Sequence, residues 1–180
     1  MSSVTTTDCA GNVSRAANVS YTVASPPADL AIFEVPLAPD SISRNTTGHY
    51  FAGVVNLSSP TANNAVITSV FTVPNNILNG SLSASFAQVS CKLSGCTVPS
   101  SGTNCSVTTA VAANTTATIT CKVGQVPSVF TGKGVGLVIN IPVLSSAPLN
   151  TKFTSITTVS SANDPNSSDN TVSETYIVTK

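Results

Sequence analysis

The sequence predicts an all-β protein built as a sandwich of two packed sheets. Apolar and polar residues alternate with a period of two in segments that recur about every ten to fifteen residues. Ser and Thr make up 52 of the 180 residues, Val, Ile and Ala supply most of the apolar content, and Trp is absent. This β-branched, hydroxyl-rich composition suits many short strands. The period of about 3.6 residues that marks an amphipathic helix is nearly absent.

Ten segments fit the strand pattern, and turn residues separate them. Ser-Pro-Pro lies between the first and second, Ser-Ser-Pro follows the third, and Pro-Asn-Asn follows the fourth. Asn-Gly-Ser precedes the fifth, Ala-Ala-Asn separates the sixth from the seventh, and Gly-Lys-Gly opens the eighth. Pro-Leu-Asn precedes the ninth, and Asp-Pro-Asn-Ser-Ser precedes the tenth. The segments are residues 13–23, 29–35, 48–57, 65–73, 82–91, 105–111, 115–123, 135–143, 152–160 and 171–178.

Alternation within these segments also predicts which side chains face the core. The expected inward residues are Leu30, Ile32, Phe51, Val55, Ile67, Phe71, Phe86, Val107, Ile119, Leu137, Ile139, Ile141, Ile156 and Tyr176.

The charge pattern excludes several classes of partner. Only 8% of the residues are charged, and seven basic side chains balance seven acidic ones. No block of like charge offers an electrostatic footprint for nucleic acid or an anionic membrane surface. No apolar run approaches the length of about 20 residues that spans a bilayer. No signal peptide is recognised at Met1, so we expect a mature segment or a piece of a longer array. Because so little charge keeps copies apart, we expect a glycan coat or permanent assembly.

The opening fragment has one apolar face but no core of its own. Its apolar positions alternate with polar ones, and Arg15 breaks the pattern; they are Val13, Ala17, Val19, Tyr21 and Val23. A Ser-Pro-Pro linker follows and extends the chain away from the fragment. We therefore predict three parts: residues 1–24 as a terminal strand of a preceding module or a donor strand, 25–27 as a linker, and 28–180 as the sandwich.

Two resemblances support this division. Four motifs follow the linker: ADLAI, NNAVITSVFTVPNNI, CKVGQV and SSANDPNSSDNTVSETYIV. They resemble motifs of the conserved repeat domain of bacterial and archaeal surface proteins, and the resemblance extends over about 150 residues. The chain departs from that pattern at HYFAGVVNLSSPTANN. The resemblance implies an immunoglobulin-like β-sandwich and leaves the ligand open. With the opening fragment, the expected fold is this sandwich with a detached N-terminal strand. DCAGN is similar to the turn between the last two strands of another bacterial immunoglobulin-like module.

The five cysteines predict disulfides in an oxidising compartment, because no CxxC pair or histidine cluster suggests zinc. Cys105 and Cys121 are symmetric about Ala113, so they should face one another across a hairpin. Cys91 and Cys96 bracket a short loop that closes on itself. A bridge from Cys91 to Cys121 is the alternative. With the pairs Cys105–Cys121 and Cys91–Cys96, the cysteine of the opening fragment, Cys9, is left without a partner in the sandwich.

Candidate sites for chemistry are sparse, and we expect neither an enzyme nor a cofactor. His49 is the single histidine, and no GxSxG or cysteine-protease signature accompanies it. Glu34 and Glu174 are the only glutamates, so paired carboxylates for acid–base work are not evident. One loop offers oxygen ligands for calcium, although its residues favour a hydrogen-bonded turn over a metal site. Its residues are Asp164, Asn166, Asp169 and Asn170.

The sequence offers candidates for two kinds of covalent modification. Eight Asn-x-Ser/Thr sequons are candidates for glycosylation, and we expect glycans on half of them or more in a source that glycosylates secreted proteins. They lie at Asn12, Asn18, Asn45, Asn56, Asn79, Asn104, Asn114 and Asn166. The order of the predicted strands also makes Lys152 and Asn170, with Glu174 as the nearby carboxylate, candidates for an isopeptide bond, although lysines at strand ends are more often solvated.

Together these features predict a non-catalytic structural subunit of an extracellular or cell-surface array or filament. Donor-strand addition would join copies or neighbouring immunoglobulin-like modules through main-chain hydrogen bonds. A passive stalk or spacer ranks second, and an adhesin module that binds glycan or protein ranks third. The adhesin ranks third because the predicted loops of this chain are mostly Ser, Asn, Pro and Gly, whereas binding sites of that kind usually contain aromatic and charged residues.

Overall fold

The fold was analysed in a computed structural model of the chain. It describes residues 2–4, 7–13, 17–19, 24, 26–34, 40–92, 95–97, 105–109, 115–131 and 133–180. Thirteen strands and one short 3-10 helix lie within these residues. The strands are β1 (Ser2–Val4), β2 (Ala17–Val19), β3 (Leu30–Glu34), β4 (Ser41–Ser43), β5 (Thr47–Asn56), β6 (Ala62–Val73), β7 (Ser83–Lys92), β8 (Gly95–Thr97), β9 (Cys105–Thr109), β10 (Thr115–Val126), β11 (Lys133–Pro142), β12 (Lys152–Ser160) and β13 (Thr171–Thr179), and the helix is Val129–Thr131. No helix among them is long and apolar enough to cross a membrane.

Two sheets form an immunoglobulin-like sandwich. The six-stranded sheet has the order β4-β13-β12-β6-β10-β9, and the five-stranded sheet has the order β3-β5-β11-β7-β8. Within the described strands, β4 and β13 form a parallel pair and the other pairs are antiparallel. The predicted fold class, an all-β sandwich, is therefore confirmed.

The core forms where the inward faces of the two sheets meet. Nine of the residues predicted to be inward are buried in this core: Leu30, Ile32, Ile67, Phe71, Ile119, Leu137, Ile139, Ile141 and Tyr176. The side chains of Phe86 and Val107 lie outside the described part of the chain.

Three of the inward predictions need correction. Tyr50, Ala52 and Val54 contribute the core face of β5, so Phe51 and Val55 point to its other face. Both faces of β5 are apolar, which is why alternation did not identify the inner one. Ile156 is 49% exposed, because its neighbours at odd positions in β12 form the buried face.

A polar network lies inside this apolar core. Thr157 Oγ1 accepts a hydrogen bond from the Tyr50 hydroxyl at 3.0 Å and lies 2.8 Å from Ser69 Oγ. The Phe153 and Tyr176 rings stack beside it, with centroids 4.9 Å apart. Buried hydroxyls are tolerated because they bond to one another across strands and between the two sheets.

The opening fragment contains a β-hairpin around the DCAGN turn, whereas alternation alone predicted one strand there. β1 pairs with β2 in antiparallel register, and Thr7 bridges to Val13. Asp8 shapes the turn, since its Oδ1 accepts hydrogen bonds from the backbone N–H groups of Ala10 and Asn12, each at 2.9 Å. The described residues of the predicted strand over 13–23 are Val13, which bridges to Thr7, and β2.

Candidate functional site

The sandwich has two ends, which different strands and loops form. The linker end is where the chain enters at Ala28 and where β5, β10 and β12 finish. The far end is where β6 and β11 finish and where β13 completes the fold at Thr179. β12 alone spans about 30 Å between the two, at about 3.3 Å for each of its residues. The linker thus enters the sandwich at one end, and β13 finishes at the other.

The loop at residues 161–170, named here the Asp-Pro loop, seals an edge of the five-stranded sheet at the linker end. Three alternate N–H groups at the start of β3 donate to oxygens of this loop: Ala28 to the Asn163 carbonyl at 2.9 Å, Leu30 to Asp164 Oδ2 at 3.2 Å, and Ile32 to the Asp169 carbonyl at 3.0 Å. Alternate residues of an edge strand direct their N–H groups to the same side. The loop therefore occupies the position of a neighbouring strand and satisfies donors that an open edge would expose.

Hydrogen bonds within the Asp-Pro loop hold its shape. Asp164 Oδ1 accepts from the Asn166 backbone N–H at 3.1 Å, and Asp164 Oδ2 accepts from Asn170 Nδ2 at 2.9 Å. Asn166 Nδ2 reaches Asp29 Oδ1 at 2.9 Å. These are the contacts of a hydrogen-bonded turn, and both Asp164 oxygens are engaged. No group of three His, Cys, Asp or Glu residues suited to a metal ion occurs in the described ranges.

A shallow cleft of about 660 Å³ lies beside this loop at the linker end. Four prolines, Pro26, Pro27, Pro60 and Pro165, line much of it. The amide of Asn163, a polar lining group, is already engaged: Nδ2 donates to the Thr61 carbonyl at 3.0 Å, and Oδ1 accepts from the Asn63 N–H at 2.9 Å. The proline rings offer no N–H donor, so the cleft provides few directed hydrogen bonds for a ligand.

His49 is not arranged as a catalytic base. Its ring is exposed, and Nδ1 lies 2.8 Å from Asn140 Oδ1. The amide of Asn140 donates in turn to Ser83 Oγ at 3.0 Å. The amide thus stands between the imidazole and the hydroxyl, whereas general-base activation of a serine requires direct contact between them.

The structure separates the sequons into different classes. Asn12, Asn45, Asn79 and Asn166 are exposed, although Asn166 Nδ2 is bonded within the linker end. Asn56 is wrong as a glycan acceptor, because it is fully buried and its Nδ2 donates to the Pro60 and Val126 carbonyls at 2.6 and 3.2 Å. The Asn18 side chain, Asn104 and Asn114 lie outside the described residues.

The structure has a disulfide between Cys105 and Cys121, which are directly paired on β9 and β10. Cys121 is therefore not available to Cys91. The backbone of Cys91 lies opposite that of Cys96, and their side chains are outside the described part. Cys9 is an exposed free thiol in the hairpin turn.

Two further sequence hypotheses concern the donor-strand face and the isopeptide bond. The predicted donor-strand face is described in part. Val13 is 65% exposed, and Ala17 and Val19 lie in β2. Tyr21 and Val23 lie outside the described residues. The isopeptide hypothesis is wrong, because Lys152 begins β12 at the far end, whereas Asn170 bonds to the backbone beside the end of that strand.

Comparisons with known proteins give a fold-level likeness. No protein-family model and no curated protein matches the sequence. Among solved structures, AvmM, which catalyses macrocyclization in alchivemycin A biosynthesis, matches with 9% identity and a TM-score of 0.48, covering 87% of this chain and 90% of AvmM. ACE19, the collagen-binding subdomain of the Enterococcus faecalis surface protein ACE, matches with 9% identity and a TM-score of 0.42, covering 88% and 100% of the two chains.

BcpA, the major pilin subunit of Bacillus cereus, matches with 16% identity and a TM-score of 0.39, covering 99% of this chain and 48% of the pilin. These proteins include an enzyme, a binding subdomain and a pilin. With TM-scores of 0.48 or lower and identities of 16% or lower, the likenesses do not decide among functions. The resemblance to the conserved repeat domain of surface proteins stays a prediction.

Proposed function

We propose that the protein is a non-catalytic structural module of an extracellular array, joined in series to neighbouring modules. The observation that carries this is the path of the chain, which enters the sandwich at Ala28 at one end and completes it at Thr179 at the other. Modules connected in this way follow one another end to end. Each adds about 30 Å of rigid sandwich, the length of a strand such as β12.

The joint between modules is the N-terminal hairpin. Val13 beside its turn is 65% exposed, so its side chain is accessible to a neighbouring module. The Ser-Pro-Pro linker is stiff and extended, so it holds the hairpin away from the chain's own linker end. In this proposal β2 adds to a strand of the neighbour through main-chain hydrogen bonds, and its apolar side chains fill the neighbour's surface.

The covalent structure supports an extracellular location. Disulfides persist in oxidising compartments and are rare in the cytosol, and the Cys105–Cys121 bridge is of this kind. The alternative is a passive spacer in a large surface protein, which the same end-to-end path favours. The two proposals differ only in whether the hairpin joins separate chains.

Deletion of residues 1–24 tests the joint. The full chain should form linear polymers in electron micrographs, and the truncated chain should stay folded without forming them. Val13→Asp should also reduce polymer formation, because a carboxylate buried in an apolar contact is costly. Leu57→Asp, at a side chain that is 44% exposed, is the matched control. If the full chain never polymerises, the hairpin does not join separate chains and the spacer alternative stands.

A further inference from the structure

The connection between β6 and β7 contains the single Asn-Gly pair of the sequence, Asn79 and Gly80. The main chain of this turn is anchored at the far end of the sandwich. Leu78 forms a bridge with Val143, and the Asn79 N–H donates to the Pro142 carbonyl at 2.9 Å. The pair therefore lies beside the end of β11, on a turn that the sandwich holds in place.

The two groups that could react with one another in this pair are both accessible. Asn79 and Gly80 are exposed. Among the hydrogen bonds of the described residues, none uses the Asn79 side-chain amide or the Gly80 N–H. Gly80 has a φ of +91°, and apart from its chain neighbours no described residue comes within 4 Å of the position that a Cβ would take there. The Asn79 amide is thus free to rotate, and no side chain shields the Gly80 nitrogen.

The spacing of these groups permits a ring closure within the chain. The Gly80 nitrogen, after losing its proton to water, attacks Asn79 Cγ and closes a five-membered succinimide ring. The Cγ–Nδ2 bond breaks, and Nδ2 takes up a proton and leaves as ammonia. Water then opens the ring at one of its two carbonyl carbons, which gives aspartate or isoaspartate at this position. The net change is the consumption of one water molecule and the release of one ammonia molecule.

Asn45 provides a comparison in the same molecule. It lies in the exposed turn between β4 and β5, and its side-chain amide likewise makes no hydrogen bond in the described part of the chain. Both asparagines are also in sequons. They differ in the residue that follows: Thr46 has a β-branched side chain that crowds its own backbone nitrogen, whereas Gly80 has none. Ring closure is therefore favoured at Asn79 over Asn45.

We propose that Asn79 is a site of spontaneous deamidation in the folded protein, with Gly80 supplying the nucleophilic nitrogen. The reaction places a carboxylate at the far end of the sandwich. In this chain seven basic side chains balance seven acidic ones, so each modified copy acquires a net negative charge. The reaction needs only the folded chain and water, and it is therefore independent of any joint between modules.

Incubation of the full chain over days, at neutral and at mildly alkaline pH, tests this site. The chain is produced in a host that does not glycosylate asparagine, because enzymatic removal of a glycan would itself convert asparagine to aspartate. Isoelectric focusing should show an acidic form that accumulates with time, and faster at the higher pH, since the attacking nitrogen must lose its proton. Peptide mapping by mass spectrometry should locate the change at Asn79, with a rate about tenfold or more above that at Asn45.

Two variants provide controls. Asn79→Gln should abolish the acidic form, because its longer side chain does not close the five-membered ring. Ser81→Ala removes the sequon but keeps the Asn-Gly pair, so it should leave the rate unchanged. Circular dichroism shows whether each variant keeps the fold.

Three results would overturn the proposal. The folded chain could yield no acidic form under conditions that resolve an Asn79→Asp reference. Asn45 could react as fast as Asn79, which would show that the following glycine has no effect. The acidic form could also persist in Asn79→Gln, which would assign it to another residue.

Discussion

Replacement of Asp164 by Ala should destabilise the sandwich through its linker end. The carboxylate accepts hydrogen bonds from the Leu30 N–H at 3.2 Å and from Asn170 Nδ2 at 2.9 Å. Leu30 and Asn170 are both buried, so water replaces the lost acceptor poorly. An unsatisfied buried donor costs about 1–3 kcal/mol, and Asn170 keeps a second bond to the Asn166 carbonyl. We therefore expect a loss of about 2–4 kcal/mol, a large part of the roughly 5–15 kcal/mol that stabilises a domain.

Urea denaturation of the unsubstituted chain and of Asp164→Ala measures this loss, provided that both give the same m-value. Hydrogen exchange of the Leu30 amide localises the loss. Asp40→Ala is the matched control, because it removes the same charge from an exposed side chain. A double-mutant cycle with Asn170→Ala should give a coupling energy above about 0.5 kcal/mol. If Asp164→Ala changes stability by less than about 0.5 kcal/mol, the Asp-Pro loop does not hold β3.

Four further outcomes follow from the contacts described. Thr157→Val should lower the free energy of unfolding by about 1–3 kcal/mol in thermal denaturation, because the buried Tyr50 and Ser69 hydroxyls lose their contact with Thr157 Oγ1. Thr154→Val, on the exposed face of the same strand, should be nearly neutral. Joint replacement of Cys105 and Cys121 by Ala should cost about 3 kcal/mol, since the bridge spans 16 residues; a loss below about 1 kcal/mol would contradict this. The Asn12 side chain, together with backbone N–H donors, lowers the pKa of Asp8 below its ordinary value of 3.8. The turn should therefore keep this stabilisation above about pH 3.8 and lose it as the pH falls through the lowered pKa, which an NMR titration of Asp8 would follow. Calcium added after chelation should leave the melting temperature unchanged, and an increase would show that the Asp-Pro loop binds the ion.

The positions of most strands could be predicted from the sequence, because alternation is a local property. The segment predicted at 152–160 coincides with β12, and the one at 171–178 falls one residue short of β13. The sequence did not predict β1, β4 and β8, since three residues are too few to show a period. The inner face of β5 was misassigned for a different reason: with apolar residues on both sides, only the packing of the whole sandwich selects one.

The role of the Asp-Pro loop was beyond local prediction. Its residues indicate a turn, and the structure contains one, but the contact between Leu30 and Asp164 joins positions 134 residues apart. Similarly, the sequon at Asn56 has the same local form as those in exposed turns. Its amide is buried because the Pro60 and Val126 carbonyls meet there, and the second of these comes from a distant strand.

If the domain is a link in an array, as proposed above, the Asp-Pro loop would hold its two sheets together at the linker end. It connects β12 to β13 in the six-stranded sheet, and its oxygens accept hydrogen bonds from β3 in the five-stranded sheet. The two sheets are thus tied together at the end where the linker enters. Tension applied through the linker reaches β3 first and is shared with β13, which runs to the far end. A loop rich in Asp, Asn and Ser therefore has a structural reason for its composition: it supplies acceptors to the N–H groups at the open edge of β3.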